Sequence, residues 1–212
     1  ERVPWNALSA SAREKLSQMA ANPSIYRRLP MAGARCNPEL FDYILLHPNL
    51  VVELWKQMGY DELSMAERAP GKFDFHEKSG TVGVLQVLYQ DDETTVAYCA
   101  GTYRGGLIGN ALEGEMFLIL QTRYTEDESG APVVVCRLDA FADIKNPGAD
   151  LLARTLSGLL GKIADTNFSQ TMAFIDSVSK IAEESPNDFA ATAARLEGLT
   201  PEARRLLVAK TS

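Results

Sequence analysis

The sequence predicts an α+β fold: a curved antiparallel sheet of about seven strands wrapped around a long C-terminal helix, with two short helices after the first strand. Three observations predict it. Apolar residues alternate with a period of two through residues 61–143. From Pro147 to about Glu184 the period becomes 3.6. Between the first strand candidate and the alternating region stand two helix starts in tandem, Asn37-Pro38-Glu39 and His47-Pro48.

The elements follow in order. Residues 6–21 read as a helix, with Asn6 or Ser9 as its cap and Leu8, Ala12, Leu16 and Met19 at helical spacing. Asn22-Pro23 ends it. Ile25 to Arg35 reads as a strand that Pro30 confines to an edge or a bulge. Asn37 can cap a helix whose stripe is Leu40, Phe41, Ile44 and Leu45. Pro48 breaks that helix and opens the next, with Leu50, Val51, Leu54, Trp55 and Met58 as its stripe and Gly59 as its stop.

Six strands follow. Leu63 and Met65 mark the first, Phe73 and Phe75 the second, and Leu85, Val87 and Tyr89 the third. In residues 94–103 the two faces are alike and neither can be assigned inward. Met116, Leu118 and Leu120 mark the fifth strand, and Val134, Cys136, Leu138 and Ala140 the sixth. Short turn-rich connections favour an antiparallel meander. The last long helix carries Leu152, Leu156, Leu159, Leu160, Ile163, Phe168, Ile175 and Val178, and would extend ~55 Å if unbroken. Ser157, Gly158 and Gly161 imply either a kink or a close approach to the backbone. Two short helices near 187–197 and 201–209 finish the chain. The expected division is an N-terminal helical extension (1–24), a main domain (25–184) and a C-terminal helical appendage (185–212).

Composition narrows the function classes. The net charge is −7, and residues 61–131 hold thirteen acidic and five basic side chains. Such an acidic sheet is a poor surface for nucleic acid or anionic lipid, which demand clustered Lys and Arg. No apolar run reaches the ~20 residues of a membrane span. The chain is expected to be soluble; Glu1 in place of methionine implies loss of an upstream piece, by cleavage of an export signal or by trimming. Three widely spaced cysteines, Cys36, Cys99 and Cys136, form no disulfide framework. Cys99 and Cys136 lie two strands apart, ~9.6 Å against the ~7 Å limit of a bridge. With two histidines, His47 and His76, no metal site is expected and no cofactor is implied.

The stretch Cys36-Asn37-Pro38-Glu39-Leu40-Phe41-Asp42-Tyr43-Ile44-Leu45-Leu46-His47-Pro48, ending in Leu54-Trp55, resembles a passage between first strand and sheet in the helix-grip superfamily of START and Bet v 1 proteins. With the element order, the resemblance covers about residues 25–184. It implies a gap between sheet and C-terminal helix that side chains or a ligand must fill. Superfamily members include lipid carriers, hormone receptors, aromatic cyclases and ring hydroxylases, with no fixed catalytic signature. The extra N-terminal helix, the long final helix and the tail after Pro186 depart from the pattern.

The candidate lining of that gap is Phe73, Phe75, Leu85, Val87, Met116, Leu118, Leu120 and Leu138 from the sheet, with Leu156 and Leu160 from the helix. Arg137 and Asp139 flank Leu138 and are expected to face solvent; if the register were inverted they would be buried polar anchors. His76 is expected to point outward, and His47 to cap loop backbone or helix carbonyls. The glycine-rich run Gly105-Gly106-Leu107-Ile108-Gly109 lacks the setting of a phosphate loop and reads as a hairpin connection. The sequon Asn167-Phe168-Ser169 falls inside the long helix. No catalytic residue is assigned. Three readings stand: a carrier or sensor of an apolar small molecule or lipid, which is preferred; an interaction module with a filled core; and an enzyme of cyclase or hydrolase type.

Overall fold

In a computed structural model, the structure describes residues 3–104, 111–145 and 149–195, with the side chains of 149–160, 163 and 193 outside the description. The chain order is α1 (Ala10–Ala21), β1 (Ile25–Arg28), β2 (Ala32–Arg35), α2 (Pro38–Leu46), α3 (Pro48–Gln57), β3 (Leu63–Ala69), β4 (Lys72–Glu77), β5 (Thr81–Gln90), β6 (Thr94–Tyr103), β7 (Leu112–Glu126), β8 (Pro132–Ile144), α4 (Ala149–Glu184) and α5 (Pro186–Arg195). The helix expected near 201–209 and the glycine-rich run lie outside the described residues.

One antiparallel sheet runs β1-β8-β7-β6-β5-β4-β3, with β2 also on β8. The expected strand 25–35 is split in two, which raises the count to eight. Pro30 is the reason, because it has no N–H for the ladder. Leu29 still donates to the Leu138 carbonyl. Arg28 then pairs with Asp139 and Ala32 with Cys136, so one extra residue is accommodated as a bulge.

Local chemistry fixes the helix ends. Ser9 caps α1 by accepting from the Ala12 N–H. The Asn37 side chain accepts from the Glu39 and Leu40 N–H groups at the start of α2. His47 ends α2, and its backbone N–H donates to the Tyr43 and Ile44 carbonyls. Pro48 then opens α3, and Gly59 leaves it at φ +89°, a conformation that favours glycine.

Alternate residues of each strand face opposite layers. On one face, Val96, Phe117, Ile119 and Phe141 pack with Leu8, Leu16 and Met19, so α1 covers this outer face. On the other, Val134 and Cys136 join α2, α3 and the Met172, Ile175, Val178 and Ala182 stripe of α4. Phe189 of α5 belongs to the same inner cluster. No helix among the described residues is long and apolar enough to cross a membrane.

Candidate functional site

The inner face of β5–β8 forms a floor of four cross-strand rows. Gln90, Thr95, Leu120 and Leu138 make the first; Val87, Ala97, Leu118 and Ala140 the second. Leu85, Cys99, Met116 and Ala142 make the third; Gly83, Gly101, Gly114 and Ile144 the fourth. Phe73 sits beside Leu85 and Phe75 beside Gly83 on the same face. The register therefore puts the eight sheet residues of the expected lining on one face. Leu156 and Leu160 lie outside the described side chains.

Burial along this floor is uneven. Phe73 is fully buried, whereas Phe75, Leu85, Val87, Met116, Leu118, Leu120 and Leu138 are half-buried. The reason is in the rows. Six of the sixteen positions are Ala or Gly, which do not reach across to an opposing layer. None of the sixteen positions is charged. The glycine row also lets the backbones close in. A Cβ on Gly83 would meet the Ala100 carbonyl oxygen at 2.5 Å and the Phe75 ring at 2.7 Å.

One end of the floor is polar. The Gln90 Nε2 donates to the Asp42 carbonyl of α2 at 3.2 Å. The Asp42 carboxylate accepts from the Tyr124 hydroxyl at 2.5 Å. Burial, then the bond to Asp42, raises the Tyr124 pKa, so this hydroxyl stays protonated. Thr95, opposite Gln90, is 6% exposed. Neither the Gln90 Oε1 nor the Thr95 Oγ1 has a hydrogen-bond partner.

At the β1 edge, Arg27 reaches across to α4 and pairs with Asp165. Gly161 makes room: a Cβ there would lie 2.9 Å from the Arg27 Nη1. Close approach is thus what Gly161 provides.

Arg137 and Asp139 lie on the outer face, opposite to the face of the floor. Asp139 does not face solvent as expected. It is 2% exposed, accepting from Arg28 Nε at 2.8 Å and from the Tyr26 hydroxyl at 2.9 Å. The β1 edge strand brings both partners over it. Arg137 donates to the cross-strand Gln121 and, with Arg123, lines an outer cleft of about 660 Å³.

His76 is exposed, and the His47 ring stacks on Tyr43 with centroids 4.4 Å apart. All three cysteines are free. Burial pushes the Cys36 and Cys99 thiols up to about 12, and that of Cys136 to about 11. A thiol so protonated is a poor nucleophile at neutral pH.

The shared phase of Phe73, Phe75, Leu85, Val87, Met116, Leu118, Leu120 and Leu138 is what the sequence shows of this face. Gln90, Thr95, Ala97 and Cys99 were not legible, because residues 94–103 are alike on both faces and a bulge at Leu88 shifts the phase of β5.

No family model matches the chain, and no curated protein does. Solved structures do. A conserved protein from Geobacillus kaustophilus superposes with a TM-score of 0.52 at 11% identity, covering 72% of this chain and 96% of that one. A START superfamily protein from Mycobacterium smegmatis matches with a TM-score of 0.37 at 10% identity, over 71% of this chain and 98% of that one. Ara h 8.0201 matches with a TM-score of 0.38 at 11% identity, over 69% and 99% of the two chains. These likenesses concern the fold alone. The structure has the expected α+β architecture, an antiparallel sheet with the C-terminal helix α4 and short helices after the first strands.

Proposed function

We propose that this protein binds an apolar small molecule or lipid in the gap between the inner sheet face and α4. The observation that carries the reading is the uncharged floor. Six of its sixteen positions are Ala or Gly, and its larger apolar side chains remain half-buried although they face inward. Exposed apolar area of this kind costs about 25 cal/mol per Å² until something covers it. A ligand entering from water would gain that free energy. Sites of this type are mostly apolar with a few placed polar groups.

Native mass spectrometry of the purified chain, followed by organic extraction and titration with Nile red, tests the proposal. A co-purifying apolar mass, or saturable Nile red binding, is the expected result. Ala97→Phe and Ala140→Phe place a ring on the floor and should each abolish uptake while the protein stays folded. Absence of uptake by the wild-type chain, or undiminished uptake in both variants, would refute the reading.

A further inference from the structure

The polar end of the floor is informative about the head of the ligand. Gln90 and Thr95 are a cross-strand pair, and both point to the inner face. The Gln90 amide orientation is fixed, because its Nε2 donates to a backbone carbonyl, which can only accept. Its Oε1 is then the free end, a neutral acceptor in need of a donor. Beside it, Thr95 Oγ1 is also buried without a partner. A buried polar group left unmade is destabilising, and two at one spot point to a missing third group.

Resting on the groove reading above, we infer that the ligand is a neutral amphiphile whose hydroxyl sits between Gln90 and Thr95. The ligand O–H donates to Gln90 Oε1, and its oxygen accepts from the Thr95 hydroxyl. One alcohol group satisfies both. The tail then lies along the second and third rows, over Ala97 and Leu118 and then Cys99 and Met116.

Charge decides against other heads. An ionised carboxylate would face the Gln90 oxygen without a donor and stand near the Asp42 carboxylate, which Tyr124 already engages. No cationic side chain lies on the β5–β8 floor. On β1, Arg27 is held by Asp165. An ammonium head would lose its hydration for one neutral acceptor and one hydroxyl, a poor exchange for a buried charge.

Displacement of Nile red from the full chain at neutral pH tests this with four twelve-carbon probes: dodecanol, dodecanoate, dodecylammonium and dodecane. Dodecanol should displace at a concentration roughly tenfold below either charged probe, the scale of one hydrogen bond. Thr95→Val keeps the shape and removes the hydroxyl. It should erase most of the dodecanol advantage and leave dodecane unchanged. Gln90→Met removes the acceptor and should act alike, which keeps the test open if one variant folds poorly. A charged probe matching dodecanol would overturn the inference, as would an alcohol preference that survives both substitutions. In those cases dodecane still displaces Nile red and the groove stands. If no probe displaces it, or Nile red does not bind, the groove reading falls and this inference with it.

Discussion

The two faces of β6 and β7 are built from alternate residues of the same strands, yet they end in different states. On the outer face Val96, Phe117 and Ile119 are at most 5% exposed beneath Leu8, Leu16 and Met19. On the inner face their immediate neighbours Met116 and Leu118 stay half-buried, although α4 is three times as long as α1. Helix length is therefore not what seals a sheet. The short helix carries large apolar residues onto large apolar residues. Toward β2 and β8 the inner layer is sealed in the same way, by Met172, Ile175 and Val178 against Val134 and Cys136. The incompletely covered inner residues are those of the β5–β8 floor, where six of sixteen positions are Ala or Gly.

Paired truncations on neighbouring residues give the sharpest contrast. Ile119→Ala should destabilise by about 2–5 kcal/mol, lowering Tm by roughly 5–15 °C. Leu118→Ala should cost about 1 kcal/mol in the ligand-free chain, since this side chain is only partly buried. Equal losses in thermal unfolding would mean that the inner face is as filled as the outer one.

Next in size is the outer-face charge. Asp139→Ala removes the buried acceptor of Arg28 and of the Tyr26 hydroxyl and should cost about 1–3 kcal/mol in denaturant unfolding. A neutral result would show that the edge strand does not seal this face.

A smaller effect concerns the tether of α1. Burial pushes the Glu115 carboxyl up, but hydrogen bonds from Lys145, Lys15 and Tyr98 outweigh it and bring the pKa from its usual 4.5 to about 2. Because the folded value is depressed, the stabilisation is fully present above pH 4.5 and fades as pH falls through about 2. Both lysines are more than a third exposed, so solvent screening limits the effect. Glu115→Gln should cost about 1 kcal/mol at neutral pH, and the gap to wild type should close in acid unfolding toward pH 2. A gap that is unchanged with pH would disprove the ionic tether.

The smallest change is expected at the α4 contact. Gly161→Ala gains ~1 kcal/mol in helix propensity but moves the Arg27 tip, a partly exposed pair of similar worth. The net shift in Tm should stay within roughly 3 °C. A larger loss would make Arg27 and Asp165 a clamp rather than a surface pair.

The inner face was readable because Phe73 and Phe75 in β4 and Cys136 and Leu138 in β8 alternate with polar residues, and the same phase takes in Leu85, Val87, Met116, Leu118 and Leu120. The outer core was not. Met116 to Leu120 is apolar at every position, since a strand covered on both faces loses its alternation. The stripe of α1 announced a buried helix but not the layer it would bury. Asp139 shows the same limit: Leu138 fixed its face, while its burial depends on Arg28 and Tyr26, distant in sequence. Gln90 and Thr95 stand out only when α2 is seen to close the floor above them.

The pairing of β1 with β8 also sets a timetable. Tyr26 and Asp139 are 113 residues apart. At ~5–20 residues per second of synthesis, the first strand waits roughly 6–20 s for the last. Leu8, Leu16 and Met19 wait with it, because their partners include Phe117 and Phe141. Through that interval the newborn chain displays an amphipathic helix with nothing to cover it, the kind of segment a ribosome-associated chaperone would hold.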